Sequence, residues 1–306
     1  MADAARTPLA SPPVVVTGMH RCGTTMLVRL LSQLGGTFGA RTDPNAEDYF
    51  FMRLDEWVMR RAGGAWDYPL PTLRYLRHPR FFDDTARLLA RTVASPRFAD
   101  FTGGRSLDPA AGPWGFKDPR AVFTFPLWSR VFPGARLLVI QRNGVDAAQS
   151  LATREAARWT DARADDAYLR IRPLMGRWQD VLKSTESFEN YLFSTRCLAL
   201  EDAFELWGEY VAEAESLLAR HDGPGLAVRY EALIAEPEDQ LERIARFCGL
   251  SAAPEAIREA ARGIDRSRAY AFLGNEPLVA FYERVRGSRG MQALGYGDIP
   301  GASRSR

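Results

Sequence analysis

The sequence predicts a three-layer α/β fold, with a central parallel sheet, helices on both faces and helical insertions. Three observations lead there. Short apolar runs recur at 14–16, up to Lys117, at 137–140 and at 227–230. Amphipathic stretches with helical spacing separate them, and strands that alternate with helices favour a parallel sheet. The run 14–16 also passes through a glycine turn straight into a helix.

Val14, Val15 and Val16 follow Pro12-Pro13 and are too few for a helix, so they read as a buried strand. Gly18 opens a tight turn. From Thr24 the apolar residues Met26, Leu27, Leu30, Leu31 and Leu34 fall at helical spacing, and Gly35-Gly36 ends the helix. Residues 1–12 read as a disordered tail. Residues 13–306 read as a single α/β domain, with insertions at about 60–112 and 155–197.

A helix over 47–63 is predicted, with Phe50, Leu54, Trp57 and Val58 as its apolar stripe. The segment 65–80, rich in proline and aromatics, reads as an irregular loop. Residues 81–94 read as an amphipathic helix, and 95–113 as a long loop of the kind that forms lids or binding segments. A short strand ends in Lys117, Asp118 and Arg120. The helix over 122–132 is kinked or started by Pro126. The strand 137–140 runs through Arg142-Asn143-Gly144 into another helix. The stretch 154–197 reads as helices and loops walling a pocket, with Trp159, Tyr168, Trp178 and Tyr191 along it. A long helix over 198–220, the strand 227–230 and a helix between Pro237 and Gly249 follow. The remainder, 264–306, is rich in arginine and glycine and reads as mostly loop.

Composition narrows the function. Hydrophobic residues make up 46% of the 306, enough for an ordinary core. The 40 basic and 38 acidic residues leave a net charge of +2, too balanced for a nucleic-acid binder. Cys22, Cys197 and Cys248 are scattered and lack metal-ligand spacing, and there are only three histidines. Neither a disulfide framework nor a metal site is expected. The first residues lack an apolar signal segment, and no stretch approaches the roughly 18 apolar residues of a membrane span. A soluble, cytoplasmic protein is the expectation.

Strand, glycine turn and helix N-terminus together build an anion site, because free backbone N–H groups and the helix dipole converge there. The loop 18–25, GMHRCGTT, nearly fits the phosphate-binding pattern G-x-x-x-x-G-K-[ST]. Thr24 stands where that pattern has the lysine that reaches the β- and γ-phosphates of a nucleoside triphosphate. Its loss argues against an NTPase or an NTP-using kinase. Arg21 keeps a cation in the loop. Ligands of such sheets bind at the carboxyl ends of the strands. Arg21, Lys117, Arg142 and Tyr230 all fall there and are expected to share one crevice.

At these residues the chain resembles the sulfotransferases that use 3′-phosphoadenosine 5′-phosphosulfate (PAPS), and the bacterial branch in particular. Their 5′-phosphosulfate loop reads basic-x-G-[ST]-[ST] after a buried strand, here Arg21-Cys22-Gly23-Thr24-Thr25. That family holds the 3′-phosphate with an arginine ending a strand and a serine on the next helix, matched by Arg142 and Ser150. Residues 114–140 and 228–250 resemble two further blocks. The resemblance covers most of the chain outside about 60–112 and 155–197, where acceptor binding is expected. It implies a P-loop NTPase-like fold and PAPS as co-substrate with no metal. The implied acceptor is a hydroxyl or amine of a small molecule or carbohydrate. The implied nucleotide contacts are His20, Arg21, Cys22, Gly23, Thr24, Thr25, Met26, Arg142, Ser150 and Tyr230. Arg286 and Arg289 stand as loose counterparts of the family's C-terminal closing loop. A homodimer is left open.

Sulfuryl transfer needs acceptor oxygen, sulfur and leaving oxygen in line, with the charge on the departing phosphate stabilised. Arg21 and Lys117 are expected to do this with the loop N–H groups. A general base is also needed. In several family branches it is a carboxylate shortly after the first helix. Glu47 is the first candidate here and Asp48 the second, with Asp43 and His20 as further alternatives. Many bacterial relatives carry Tyr-Trp-Glu where this chain has Tyr49-Phe50-Phe51, so that glutamate has no counterpart. Two other readings stand beside this one. A P-loop nucleotide or small-molecule kinase is disfavoured by Thr24 and by Arg142 with Ser150. A catalytically inactive nucleotide-binding relative is kept alive by the missing glutamate.

Overall fold

The computed structural model describes residues 11–105, 107, 112–164 and 194–302. Residues 1–10 of the expected tail lie outside the described residues, as do Tyr168, Trp178 and Tyr191 of the expected pocket wall. Four parallel strands, β1 Val14–Thr17, β2 Gly115–Lys117, β3 Arg136–Gln141 and β4 Gly225–Arg229, form one sheet in the order β2-β1-β3-β4. Val15 lies between Phe116 and Leu137, and Val139 pairs with Ala227. The helices that position the site are α1 Thr24–Gln33, α2 Tyr49–Arg61, α3 Leu70–Leu76, α4 Pro79–Val93, α5 Ala99–Thr102, α6 Ala121–Val131 and α7 Gly144–Ala164.

Alternate strand side chains enter two separate cores, as the two-residue period of a strand requires. Val15, Leu137 and Val139 meet Phe51, Phe116, Trp128 and Tyr210 on one face. Val14, Val16, Leu138 and Ile140 meet Leu27, Leu31, Leu233 and Ile244 on the other. Helices therefore cover both faces, which is why the strands are continuous apolar runs. Among the described residues no helix is long and apolar enough to cross a membrane.

Several local readings need correction. On α2 the buried face is Phe51, Met52, Asp55, Val58 and Met59. Phe50, Leu54 and Trp57 are only partly buried. Two contacts set this rotation. Phe51 stacks on Phe116 with ring centroids 3.8 Å apart. Asp55 Oδ1 accepts hydrogen bonds from Thr124 Oγ1 at 2.6 Å and Trp128 Nε1 at 2.7 Å, so a carboxylate occupies a core position. The supposed loop 65–80 contains α3, with Pro71 in its first turn, where a missing N–H costs nothing. Pro126 lies inside α6. The segment 264–302 carries helices Glu276–Val285 and Arg289–Ala293 rather than mostly loop, and Phe281, Tyr282 and Met291 bury into the first core. Tyr230 begins the helix Tyr230–Ala235 instead of ending β4.

Truncating Phe51, fully buried among Phe101, Phe116 and Trp128, to alanine is expected to cost about 3–5 kcal/mol of stability. Urea unfolding of both proteins measures it. An unchanged midpoint would show that this aromatic cluster collapses without loss.

Candidate active site

β1 delivers the chain to Gly18, where φ is 141° and a Cβ would collide with the Ile140 carbonyl of β3. Gly23 caps α1 with φ 96°, and a Cβ there would lie 2.5 Å from the Tyr230 ring. Only glycine fits either position. The turn they make aims the first-turn N–H groups of α1, which no carbonyl of the helix can satisfy, into a crevice. That crevice has a volume of about 630 Å³. Arg21, Lys117, Arg142 and Tyr230 all line it, together with His20, Gly23, Thr24, Thr25, Met26, Glu47 and Ser150.

Lys117, the last residue of β2, is almost wholly buried. Its Nζ donates to the Asn45 carbonyl and to Glu47 Oε1, each at 2.9 Å. Thr25 Oγ1 donates to the same carbonyl at 2.8 Å, which pins the 43–47 loop to α1. Glu47 Oε2 accepts from Arg120 at 3.2 Å. Burial alone would raise the Glu47 carboxyl. Lys117 and Arg120 outweigh it and hold the group below the usual range.

The Arg142 guanidinium lies over the Tyr230 ring, 4.7 Å from its centroid. It donates to the carbonyls of Arg21 at 3.2 Å and Arg268 at 2.8 Å. Its Nε is buried and has no hydrogen-bond partner among the described residues. Arg21 Nε donates to Ser150 Oγ at 3.0 Å, so this side chain reaches α7. His20 packs edge-on against Trp66, with ring centroids 4.8 Å apart. Burial first, then Arg154, Arg120 and Lys117, push its pKa well below the usual value, so the imidazole is neutral. Its Nε2 is also buried and without a hydrogen-bond partner among the described residues.

The family model described as the sulfotransferase family matches residues 12–201, more than half of the chain. The chain belongs to the sulfotransferase family. The solved structures to which it is similar include a sulfotransferase from Alicyclobacillus acidocaldarius, at 16% identity over 96% of this chain and 100% of that one, with a TM-score of 0.46. Sulfotransferase STF1 from Mycobacterium tuberculosis H37Rv is another, at 18% identity over 83% and 71%, with a TM-score of 0.41. No curated protein matches the sequence.

The remaining candidates fall elsewhere in this sulfotransferase. Asp48 does not line the crevice. It is the N-cap of α2, accepting from the N–H groups of Phe50 at 2.9 Å and Phe51 at 3.4 Å, and burial pushes its carboxyl up to about 6. The Asp43 carboxylate accepts from the N–H groups of Asn45 and Glu47 and holds their loop. The Cys22 side chain is in the first core, and burial pushes its thiol up to about 12, so only its backbone belongs to the loop. Arg286 and Arg289 do not reach the crevice. Arg286 donates to the Gly297 carbonyl at 3.3 Å, and Arg289 is exposed. Arg268 lines the crevice instead, as does Arg154. Arg154 follows Ser150 by one helical turn on α7, a spacing legible in the sequence. Nothing local marks Arg268. Among the described residues no group of three His, Cys, Asp or Glu side chains is placed to hold a metal.

Proposed function

We propose that this sulfotransferase moves a sulfuryl group from PAPS to a hydroxyl, or an amine, of a small-molecule or carbohydrate acceptor by in-line transfer. The observation that carries the reading is the buried, unpartnered Nε of Arg142 in a crevice shared with Ser150 and the N-terminus of α1. The two Nη groups of Arg142 are met by carbonyls and by Asp146 at 3.5 Å, which leaves the Nε–H as the donor without an acceptor. A buried donor so left is costly, and a phosphate oxygen would supply its partner. PAPS brings a 3′-phosphate for Arg142 and Ser150 as well as a 5′-phosphosulfate for the loop. ADP and ATP lack the first, and Thr24 stands where a nucleoside triphosphate site has the lysine that reaches the β- and γ-phosphates.

The chain's own groups then divide the work. First-turn N–H groups of α1 and Lys117 stabilise the charge that gathers on the phosphate oxygen as its bond to sulfur breaks. Glu47 takes the acceptor's proton as the acceptor oxygen bonds to sulfur. His20, neutral and with Nε2 open, is the alternative base. Arg21, held on Ser150, acts with Arg142 on the nucleotide. This role goes with a single α/β domain over 13–306 and a cytoplasmic location. The three cysteines, each buried and unpaired, support a reducing compartment.

Calorimetry should find 3′-phosphoadenosine 5′-phosphate (PAP) bound much more tightly than ADP. Arg142→Ala should remove about 1.5–3 kcal/mol of that preference, the worth of a hydrogen bond to a charged group. A melting curve of the variant checks that losing the bonds to the Arg21 and Arg268 carbonyls has not loosened the fold. Equal affinities for PAP and ADP would sink the reading.

A further inference from the structure

A second cavity, of about 930 Å³, adjoins the nucleotide crevice and shares Arg21, Asn45 and Arg154 with it. We propose that this cavity takes the acceptor and selects one that carries an anionic group, a phosphate, sulfate or carboxylate, beside the hydroxyl it offers. The inference rests on the sulfuryl-transfer reading and names the substrate class of that same site.

Three features of the wall argue for it. The first is charge. Arg41, Arg53, Arg97 and Arg158 line the cavity in addition to the two shared arginines, whereas Asp43 and Asp100 are the carboxylates on its described wall. Asp43 is already committed to the N–H groups of its own loop. Arg41, Arg53 and Arg97 enter no ion pair among the described residues, and all three are exposed. Arg154 and Arg158 share the buried Glu155 carboxylate, at 2.6 and 3.6 Å. Six guanidinium groups around one concave surface still leave an excess of positive charge that concentrates an anion there. The effect reaches Arg21, whose pKa is lowered by burial and then by Arg154, Arg142 and Arg158.

The second feature is the rotation of α2. Because Phe51 and Asp55 take the core positions, Phe50 and Leu54 turn outward and line this cavity with Tyr49. A ring and an aliphatic side chain on an otherwise cationic wall suit a molecule with an apolar face and a charged substituent, as a sugar acid or sugar ester has. The third is continuity. An acceptor seated there borders Arg21 and Asn45, the residues that also edge the nucleotide crevice, so a hydroxyl can approach the sulfuryl group without leaving its site.

The test uses the full chain saturated with PAP and titrated by calorimetry with four probes. These are p-nitrophenyl β-glucoside, its 6-phosphate, its 6-sulfate, and the corresponding glucuronide. At least one anionic probe should bind about tenfold or more tightly than the neutral parent, the size of one charge-assisted hydrogen bond, and added salt should weaken it. Which anion wins identifies the substituent. The double variant Arg53→Gln/Arg97→Gln should lose most of the preference. Both side chains are exposed and outside the nucleotide crevice, so its PAP affinity and melting temperature should match the parent's. The inference is overturned if the neutral glucoside binds as tightly as its anionic derivatives, if no anionic probe binds the PAP-loaded protein, or if the double variant keeps the full preference. Failure of PAP itself to bind would overturn the donor reading and this inference with it. PAP binding without anion preference removes the inference alone.

Discussion

Glu47→Gln is expected to lower the turnover number by roughly 10²–10⁴-fold, the usual worth of a positioned general base, with PAP affinity little changed. Glu47 lines the crevice, as does Asp265, and it is the one of the two that sits between Lys117 and Arg120. Those two cations keep it ionised at neutral pH and make it a modest base, so its advantage must come from proximity. Glutamine keeps the shape and hydrogen-bonding reach but cannot accept the proton. It also leaves buried Lys117 with a neutral partner, and breaking such a pair costs about 3–5 kcal/mol. Kinetics therefore belong well below the variant's melting temperature. The pH dependence has a definite sign. Because the folded pKa of Glu47 lies below its unfolded value, the group's contribution to stability is fully present above the unfolded pKa. It is lost as pH falls through the folded one. Parent and variant stability curves should therefore converge on the acid side. A variant with full turnover would move the role to His20, and His20→Asn would then show the loss. Asp48→Asn should instead weaken the α2 cap, costing about 1 kcal/mol of stability and little turnover.

Lys117→Met should lower turnover by about 10²–10³-fold, comparable to removing one donor from an oxyanion site. Lys117 is held at the strand end by the Asn45 carbonyl and Glu47, with a side chain only 1% exposed. Its loss should also let the Glu47 carboxyl rise toward the range that burial favours, shifting the acid limb of the pH–rate profile to higher pH. A purely structural lysine would move stability and leave that limb in place. Arg21→Met is expected to differ. Its guanidinium is on Ser150, so PAP affinity should fall more than turnover. Near-normal kcat in the Lys117 variant would dismiss its part in transition-state stabilisation.

The strand–loop–helix unit was legible in the sequence because its causes are local. Three β-branched residues, glycines at Gly18 and Gly23, and the spacing of Leu27, Leu30 and Leu31 each act within a few residues of themselves. The same holds for the other strands, whose chain ends gather Arg21, Lys117, Arg142 and Tyr230 in one crevice because parallel strands all point the same way. Contacts across long sequence separations decided the rest. The rotation of α2 follows from Asp55, whose Oδ1 accepts from Thr124 and Trp128 some 70 residues later. No count of apolar residues reveals that, because it scores a carboxylate as outward-facing. Glu47 and Asp48 are adjacent in sequence and equal in chemistry. One faces Lys117 and the other caps a helix, a difference that exists only once β2 lies beside β1. Arg268 rather than Arg286 reaches the crevice because the helices after 264 turn Arg286 onto the Gly297 carbonyl. Periodicity carries no record of such distant partners, since the free energy of a buried polar group depends on who satisfies it.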